Sequence, residues 1–192
     1  MEIEIKARVN NLASLRKQVL SLGAKKITDK HQVDIYLSPP HKSFFNTRYY
    51  LRVRQDLINK TASFDYHVLK SSGKYSVCEE TEVGIKDGKI LLKILKELDF
   101  TEICTIDKKR EVFRYQDFEI VLDKVKNLGD FIEIELQGNF RNRRKHKNRI
   151  IEILKKLGVK QSQYCEYGGY VELMTKTSTK KHEYSKISQQ NN

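Results

Sequence analysis

The sequence predicts an α+β fold: a closed barrel of about eight strands with a charged lumen and helices packed outside. Three observations predict it. Strand-like segments recur with charged and apolar residues at alternate positions, which puts the two kinds on opposite faces. The charged positions are dense in Lys, Arg, Asp and Glu, where a solvated sheet face would mix in Ser, Thr, Asn and Gln. Three segments of helical period interrupt the strands. One strand taken alone reads as a half-exposed antiparallel sheet; taken together, the strands fit a barrel whose polar side faces inward.

The elements follow in order. In the opening MEIEIKARV, Glu2, Glu4, Lys6 and Arg8 share one face and Ile3, Ile5 and Val9 the other. NLASLRKQVLSLG is a helix with Leu12, Leu15, Val19 and Leu22 on one stripe, Asn10 or Asn11 as cap, and Gly23 for a left-handed stop. In YYLRVRQ, Arg52 and Arg54 oppose Leu51 and Val53; in HVLKS, Lys70 opposes Leu69; in CEETEV, Glu80 and Glu82 share a face with Cys78. A second helix, from about Lys86 to Leu98, is apolar almost all round, which predicts that it packs beneath other elements. Lys108 and Arg110 share a strand face, Asp123 stands opposite Leu122, and in FIEIEL Glu133 and Glu135 oppose Ile132, Ile134 and Leu136. A third helix runs from about Asn142 to Leu157, with Ile150, Ile151, Ile153, Leu154 and Leu157 apolar, and stops at Gly158. Each helix is followed by a turn and a strand-like stretch, a faint echo of two similar halves. After Met174 the chain holds little to bury, so the sequence predicts a domain over 1–175 and a disordered tail over 176–192.

Composition bounds the function. A chain of 192 residues, 39% hydrophobic and 32% charged, suits one domain with a real core, and no apolar run reaches the length of a membrane span. The N-terminus lacks a secretory layout, and the three cysteines are odd in number and far apart, so a cytoplasmic protein with reduced thiols is expected. A net charge of +12 implies an anionic partner without choosing between nucleic acid and phosphate metabolites.

The sorting of charges points to a chemistry. Carboxylate oxygens suit hard cations such as Mg²⁺ or Mn²⁺, and Mg²⁺ is commonly shared between one or two carboxylates and substrate phosphates. Arg forks and Lys ammonium groups suit a phosphate chain, so Arg52, Arg54, Lys70, Lys108 and Arg110 are candidate phosphate ligands. Such a lumen would be costly if empty, and a polyanion with divalent cations would balance it.

At these residues the chain resembles a known family. Glu-x-Glu-x-Lys at the start, VDIYL, LRVR, the Lys70 strand, EETE, KKR and above all LDKVKNLGDFIEIE are similar, in order, to the CYTH family of triphosphate tunnel metalloenzymes, and most to its class IV adenylyl cyclase branch. The resemblance covers about residues 1–175. It implies a closed or nearly closed eight-stranded antiparallel β-barrel, a tunnel binding a triphosphate such as ATP or tripolyphosphate with two divalent ions, Mg²⁺ or Mn²⁺. It places Glu2, Glu4, Asp123, Glu133 and Glu135 on the metal side, with Glu2, Glu4, Lys6 and Glu133 as catalytic candidates. Lys6, Arg52, Arg54, Lys70, Lys108 and Arg110 would hold phosphate, Glu80 and Glu82 would orient them or assist the metal, and Tyr170 would close one end. Two departures stand out: Cys78 occupies a position where the family commonly has arginine, and Lys70-Ser71-Ser72-Gly73 replaces Lys-Gly-Pro.

Two reactions fit: cyclisation of ATP to cyclic AMP and pyrophosphate, or hydrolysis of tripolyphosphate, nucleoside triphosphate or thiamine triphosphate. The residues barely separate them; the resemblance to the class IV branch implies cyclisation, with hydrolysis as the alternative. A non-enzymatic alternative is a basic RNA-binding module, supported by RNRRKHKNR at 141–149 and opposed by the Glu-x-Glu pairs, which would repel a phosphate backbone. SSGKYS lacks P-loop spacing and reads as a turn, and His31 and His67 read as ordinary sheet or surface residues. A homodimer is left open.

Overall fold

Strand β1 (Glu2–Val9) sets the pattern for the sheet: Ile3, Ile5 and Ala7 are buried under helices, while Glu2, Glu4 and Lys6 line the barrel interior. The structure, a computed structural model, describes residues 1–71, 75–138, 143–165 and 169–175. After β1 come α1 (Leu12–Ser21), β2 (Lys25–Ser38), β3 (Tyr49–Asp56), β4 (Thr61–Ser71), β5 (Ser76–Ile85) and α2 (Gly88–Glu97). Then follow β6 (Thr101–Tyr115), β7 (Phe118–Val125), β8 (Gly129–Gln137), α3 (Arg143–Lys156), a 3₁₀ turn at Gln161–Gln163 and a helical segment over 170–175.

All neighbouring strands pair antiparallel, and the barrel closes in the order β1-β5-β4-β3-β2-β6-β7-β8, with β8 returning to β1. Closure leaves no edge strand. The order also explains the echo in the sequence. The segments β1-α1-β2-β3-β4 and β5-α2-β6-β7-β8 occupy equivalent places on either side of the long β2–β6 ladder, and exchanging the two halves reproduces the ring. The third helical segment departs from the echo: Gln161–Gln163 and an isolated bridge from Tyr164 to Ala7 follow it, and no barrel strand among the described residues.

Two helical layers cover the outside. Leu15 and Val19 of α1 and Ile150, Ile153 and Leu154 of α3 pack on the outward residues of β1, β7 and β8. At roughly 1.5–3 kcal/mol for each fully buried aliphatic side chain, this layer holds one half of the barrel. Asn11 caps α1, its side chain accepting from the Ser14 amide at 2.9 Å, and Gly23 takes φ +95° after it. On the other half, Leu95 of α2, with Leu91 and Leu92, meets Leu37, Leu51 and Val53. The expectation that α2 packs beneath other elements is corrected here. Ile90, Ile94 and Leu98 stay exposed, because one side of the helix meets the sheet and nothing among the described residues covers the other. The expected start of α3 at Asn142, the SSGKYS turn in part and the tail over 176–192 lie outside the described residues.

Inside, the barrel is mostly polar, and at one region Ile106, Val125, Phe131, Tyr170 and Val171 form an apolar cluster. Tyr170 and Val171 also line the cavity, so this cluster is its apolar boundary.

Candidate active site in the barrel lumen

The lumen holds a polar cavity of about 230 Å³. Alternation aims the side chains, and pairing register sets which of them meet. Glu2, Glu4 and Lys6 of β1, Arg52 and Arg54 of β3, Glu80 and Glu82 of β5, Lys108 and Arg110 of β6, Glu133 and Glu135 of β8, and Tyr170 all line it.

Two predicted residues do not. On β4 the residues directed inward are Asp65, His67 and Leu69, so Lys70 falls on the outer face, where its Nζ lies 2.5 Å from Glu79 Oε2 in an exposed pair. The sequence pairs Leu69 and Lys70 on opposite faces, but the apolar member is the one directed inward. Asp123 is fully buried behind the cavity wall. Its Oδ1 accepts from Arg110 Nε at 2.8 Å, and its Oδ2 accepts from Arg110 Nη2 at 2.6 Å and the Tyr170 hydroxyl at 2.8 Å. As placed, Asp123 orients Arg110 and Tyr170.

The acidic wall has two parts. One ligand oxygen from each of Glu2, Glu4 and Glu135 lies within 4.8 Å of the others, Glu4 and Glu135 being cross-strand partners. Burial, then the neighbouring carboxylates Glu133, Glu119 and Glu4, pushes Glu135 up to about 8, with Arg110 pulling the other way. Burial followed by Glu135, Glu4 and Glu80 raises Glu2 well above the carboxylate range. A buried carboxylate cluster that repels itself in this way fits a hard divalent cation, which would supply Lewis-acid charge at a phosphoryl group. Glu133 is different: its Oε1 lies 3.1 Å from Lys6 Nζ, and its Oε2 accepts from Arg110 Nη2 at 2.7 Å. Burial alone would raise it, but Arg110, Lys6 and Lys108 outweigh that and hold it ionised, well below its ordinary range. Burial also opposes the Lys6 ammonium, and Glu133 and Glu4 outweigh it.

The basic wall rests on carboxylates that the sequence reading missed. Arg54 makes a fork to Asp34 at 2.6 and 2.7 Å, Lys108 Nζ reaches the same carboxylate at 3.2 Å, and Arg52 Nε donates to Asp65 at 2.6 Å. Asp34 and Asp65 are fully buried. The register signals them: Asp34 stands directly across from Arg54, Asp65 from Arg52, and Asp123 from Arg110. An aspartate inside a strand opposite an arginine is readable in sequence once the register is known. Lys108 is pushed down to about 7 by burial and by Arg110 and Arg54, with Asp34 partly offsetting them.

The model of the CYTH domain matches residues 1–166. The chain belongs to the CYTH family. A CYTH relative in Methanocaldococcus jannaschii, named provisionally as an adenylate cyclase, is 31% identical over 174 residues, 90% of this chain and 98% of that one. The solved structure of the PH1819 protein of Pyrococcus horikoshii OT3 matches with TM-score 0.81 and 27% identity, over 92% of this chain and 99% of that one. A Hippeastrum protein, described as a provisional adenylyl cyclase with dominant triphosphatase activity, shares the fold at TM-score 0.65 and 21% identity, over 88% of this chain and 91% of that one.

Proposed function

We propose that the protein is a divalent-metal-dependent enzyme that cleaves a triphosphate chain inside the barrel, with hydrolysis as its reaction. One observation carries this reading: the Glu2–Glu4–Glu135 cluster on β1 and β8 and the basic residues of β3 and β6 share one small cavity, with β1 four strands from β2 in either direction round the ring. Arg52, Arg54 and Arg110, each oriented by its buried aspartate, would hold the non-bridging phosphate oxygens in a fixed line, and Lys108 would add a point charge. Glu2, Glu4 and Glu135 would hold Mg²⁺ or Mn²⁺. Lys6, 3.6 Å from Glu4 and 3.1 Å from Glu133, would place a further cation between the acidic wall and the phosphates.

Hydrolysis makes the smaller demand on the lumen: it needs only the phosphate chain beside the cation, with any nucleoside left at the mouth. Cyclisation needs the ribose oxygen and the α-phosphorus together beside the cation. The relative named as an adenylate cyclase supports that second reaction. RNA binding is the weaker reading, because the carboxylates converge on the same space as the cations.

The test is product analysis by phosphorus NMR with tripolyphosphate and ATP, each with Mn²⁺, Mg²⁺ or EDTA. Orthophosphate release from tripolyphosphate that stops in EDTA is the expected result. Cyclic AMP with pyrophosphate would replace hydrolysis by cyclisation, and turnover unaffected by EDTA would overturn the role of the carboxylate cluster.

A further inference from the structure

The lumen contains a second donor cluster, different in chemistry from the first. His67 on β4 and Cys78 and Glu80 on β5 each offer one ligand atom, and the three atoms lie within 4.8 Å of one another. The β4–β5 ladder builds this arrangement: His67 stands directly across from Glu80, and Leu69, one inward position further, stands across from Cys78. All three donors line the cavity, and His67 Nδ1 lies 3.1 Å from Glu80 Oε1. The Cys78 thiol is free of any disulfide among the described residues and makes a long contact, 3.8 Å, to the Glu79 carbonyl. Paired strands, not a loop, carry the donors, so little backbone order has to be gained on binding.

The donor set discriminates among cations. Imidazole nitrogen and thiolate sulfur favour borderline and soft ions of the Zn²⁺ class, whereas Mg²⁺ takes oxygen alone. Three protein donors with the cavity on the fourth side correspond to an open tetrahedral site. Arg52, Arg54 and Lys108 direct positive charge at His67, and the pairs Arg52–Asp65, Arg54–Asp34 and Lys108–Asp34 offset part of it.

We propose that His67, Cys78 and Glu80 form a binding site for a thiophilic divalent cation of the Zn²⁺ class, distinct from the all-carboxylate cluster of Glu2, Glu4 and Glu135. On binding, the Cys78 S–H bond gives its proton to water as the sulfur–metal bond forms. Cys78 pairs with Glu2 across the β1–β5 ladder, so an ion held there sits beside the carboxylate cluster. The proposal does not depend on which reaction the lumen performs.

The experiment titrates Cd²⁺ into the full chain in excess Mg²⁺, which fills oxygen-only sites, and follows the ultraviolet thiolate-to-cadmium band. One equivalent should develop the band in the wild type and in Cys104→Ser and Cys165→Ser, and Cys78→Ser should abolish it. Glu80→Gln and His67→Asn should each weaken Cd²⁺ by about tenfold or more, judged on variants with intact cooperative unfolding. A band that survives Cys78→Ser, or an affinity unchanged in both other variants, overturns the site. A measurement on the wild type alone stands beside these: bound Co²⁺ should give the intense visible spectrum of tetrahedral nitrogen–sulfur coordination, and a weak octahedral spectrum overturns it.

Discussion

Glu135 and Glu133 are two residues apart on the same strand, yet one is pushed up to about 8 and the other is held ionised well below its usual range. The difference lies in their partners: carboxylates surround the first and cations the second. The sign of the consequence follows from linkage. A carboxyl whose folded value is raised binds its proton more tightly than the unfolded chain does. Its contribution is therefore present at low pH and lost as pH rises from about 4.3 through about 8. A divalent cation replaces the lost protons, so the rise in Tm on adding saturating Mn²⁺ should be larger at about pH 9 than at about pH 6. Thermal unfolding at the two pH values checks this, and Glu135→Gln should shrink the difference; an equal rise in the wild type at both would refute the metal assignment. A second residue prediction concerns Asp34, buried between Arg54 and Lys108. Asp34→Asn leaves two buried cations short of a partner and should cost roughly 3–5 kcal/mol in denaturant unfolding. Tripolyphosphate should recover part of that loss by pairing the same cations, and a variant as stable as the wild type without ligand would contradict the role given to Asp34.

At the scale of elements, the outcome turns on which face of each one meets a partner. The strands with acid pairs were legible because Glu2, Glu4, Glu133 and Glu135 alternate with isoleucines that can only face helices. Lys70 was misread because HVLKS offers one cation and one leucine, and alternation alone does not say which of two faces is inside. The structure gives the misreading a test: Lys70→Ala should leave tripolyphosphate affinity within about twofold, since an exposed ion pair contributes ~0–1 kcal/mol. Arg54→Ala should weaken it by about tenfold or more, the value of a lost hydrogen bond to a charged group. Isothermal titration compares them, and equal losses would return Lys70 to the lumen. Helix α2 was misread for a related reason. Its apolar residues encircle the helix, but only Leu95, Leu91 and Leu92 find the sheet. Leu95→Ala should cost ~2–5 kcal/mol and Ile94→Lys no more than ~0.5 kcal/mol. Chemical denaturation distinguishes them, and comparable losses would show that the outer stripe is covered in solution.

For the whole molecule, the internal echo in the sequence corresponds to two strand–helix–strand halves meeting at the β2–β6 ladder. What stayed hidden was the register between strands distant in sequence, and with it Asp34, Asp65 and the His67–Cys78–Glu80 cluster. These depend on which residues stand opposite one another, and no local pattern encodes that. Closure also sets a collective property. The acidic wall attracts a cation and repels a triphosphate; the basic wall does the reverse, and the two share a cavity of about 230 Å³. Each ligand should therefore bind better when the other is present, and linkage requires the two effects to be equal in free energy. At matched free concentrations, Mn²⁺ should tighten tripolyphosphate binding by about tenfold, a coupling of ~1.4 kcal/mol, and tripolyphosphate should tighten Mn²⁺ binding by the same factor. Glu4→Gln should lower the coupling more than it lowers anion affinity measured without metal, because it removes charge from the acidic wall alone. Titration calorimetry in both orders measures all four constants, and independent binding of the two ligands would mean that the walls do not act on a shared occupant.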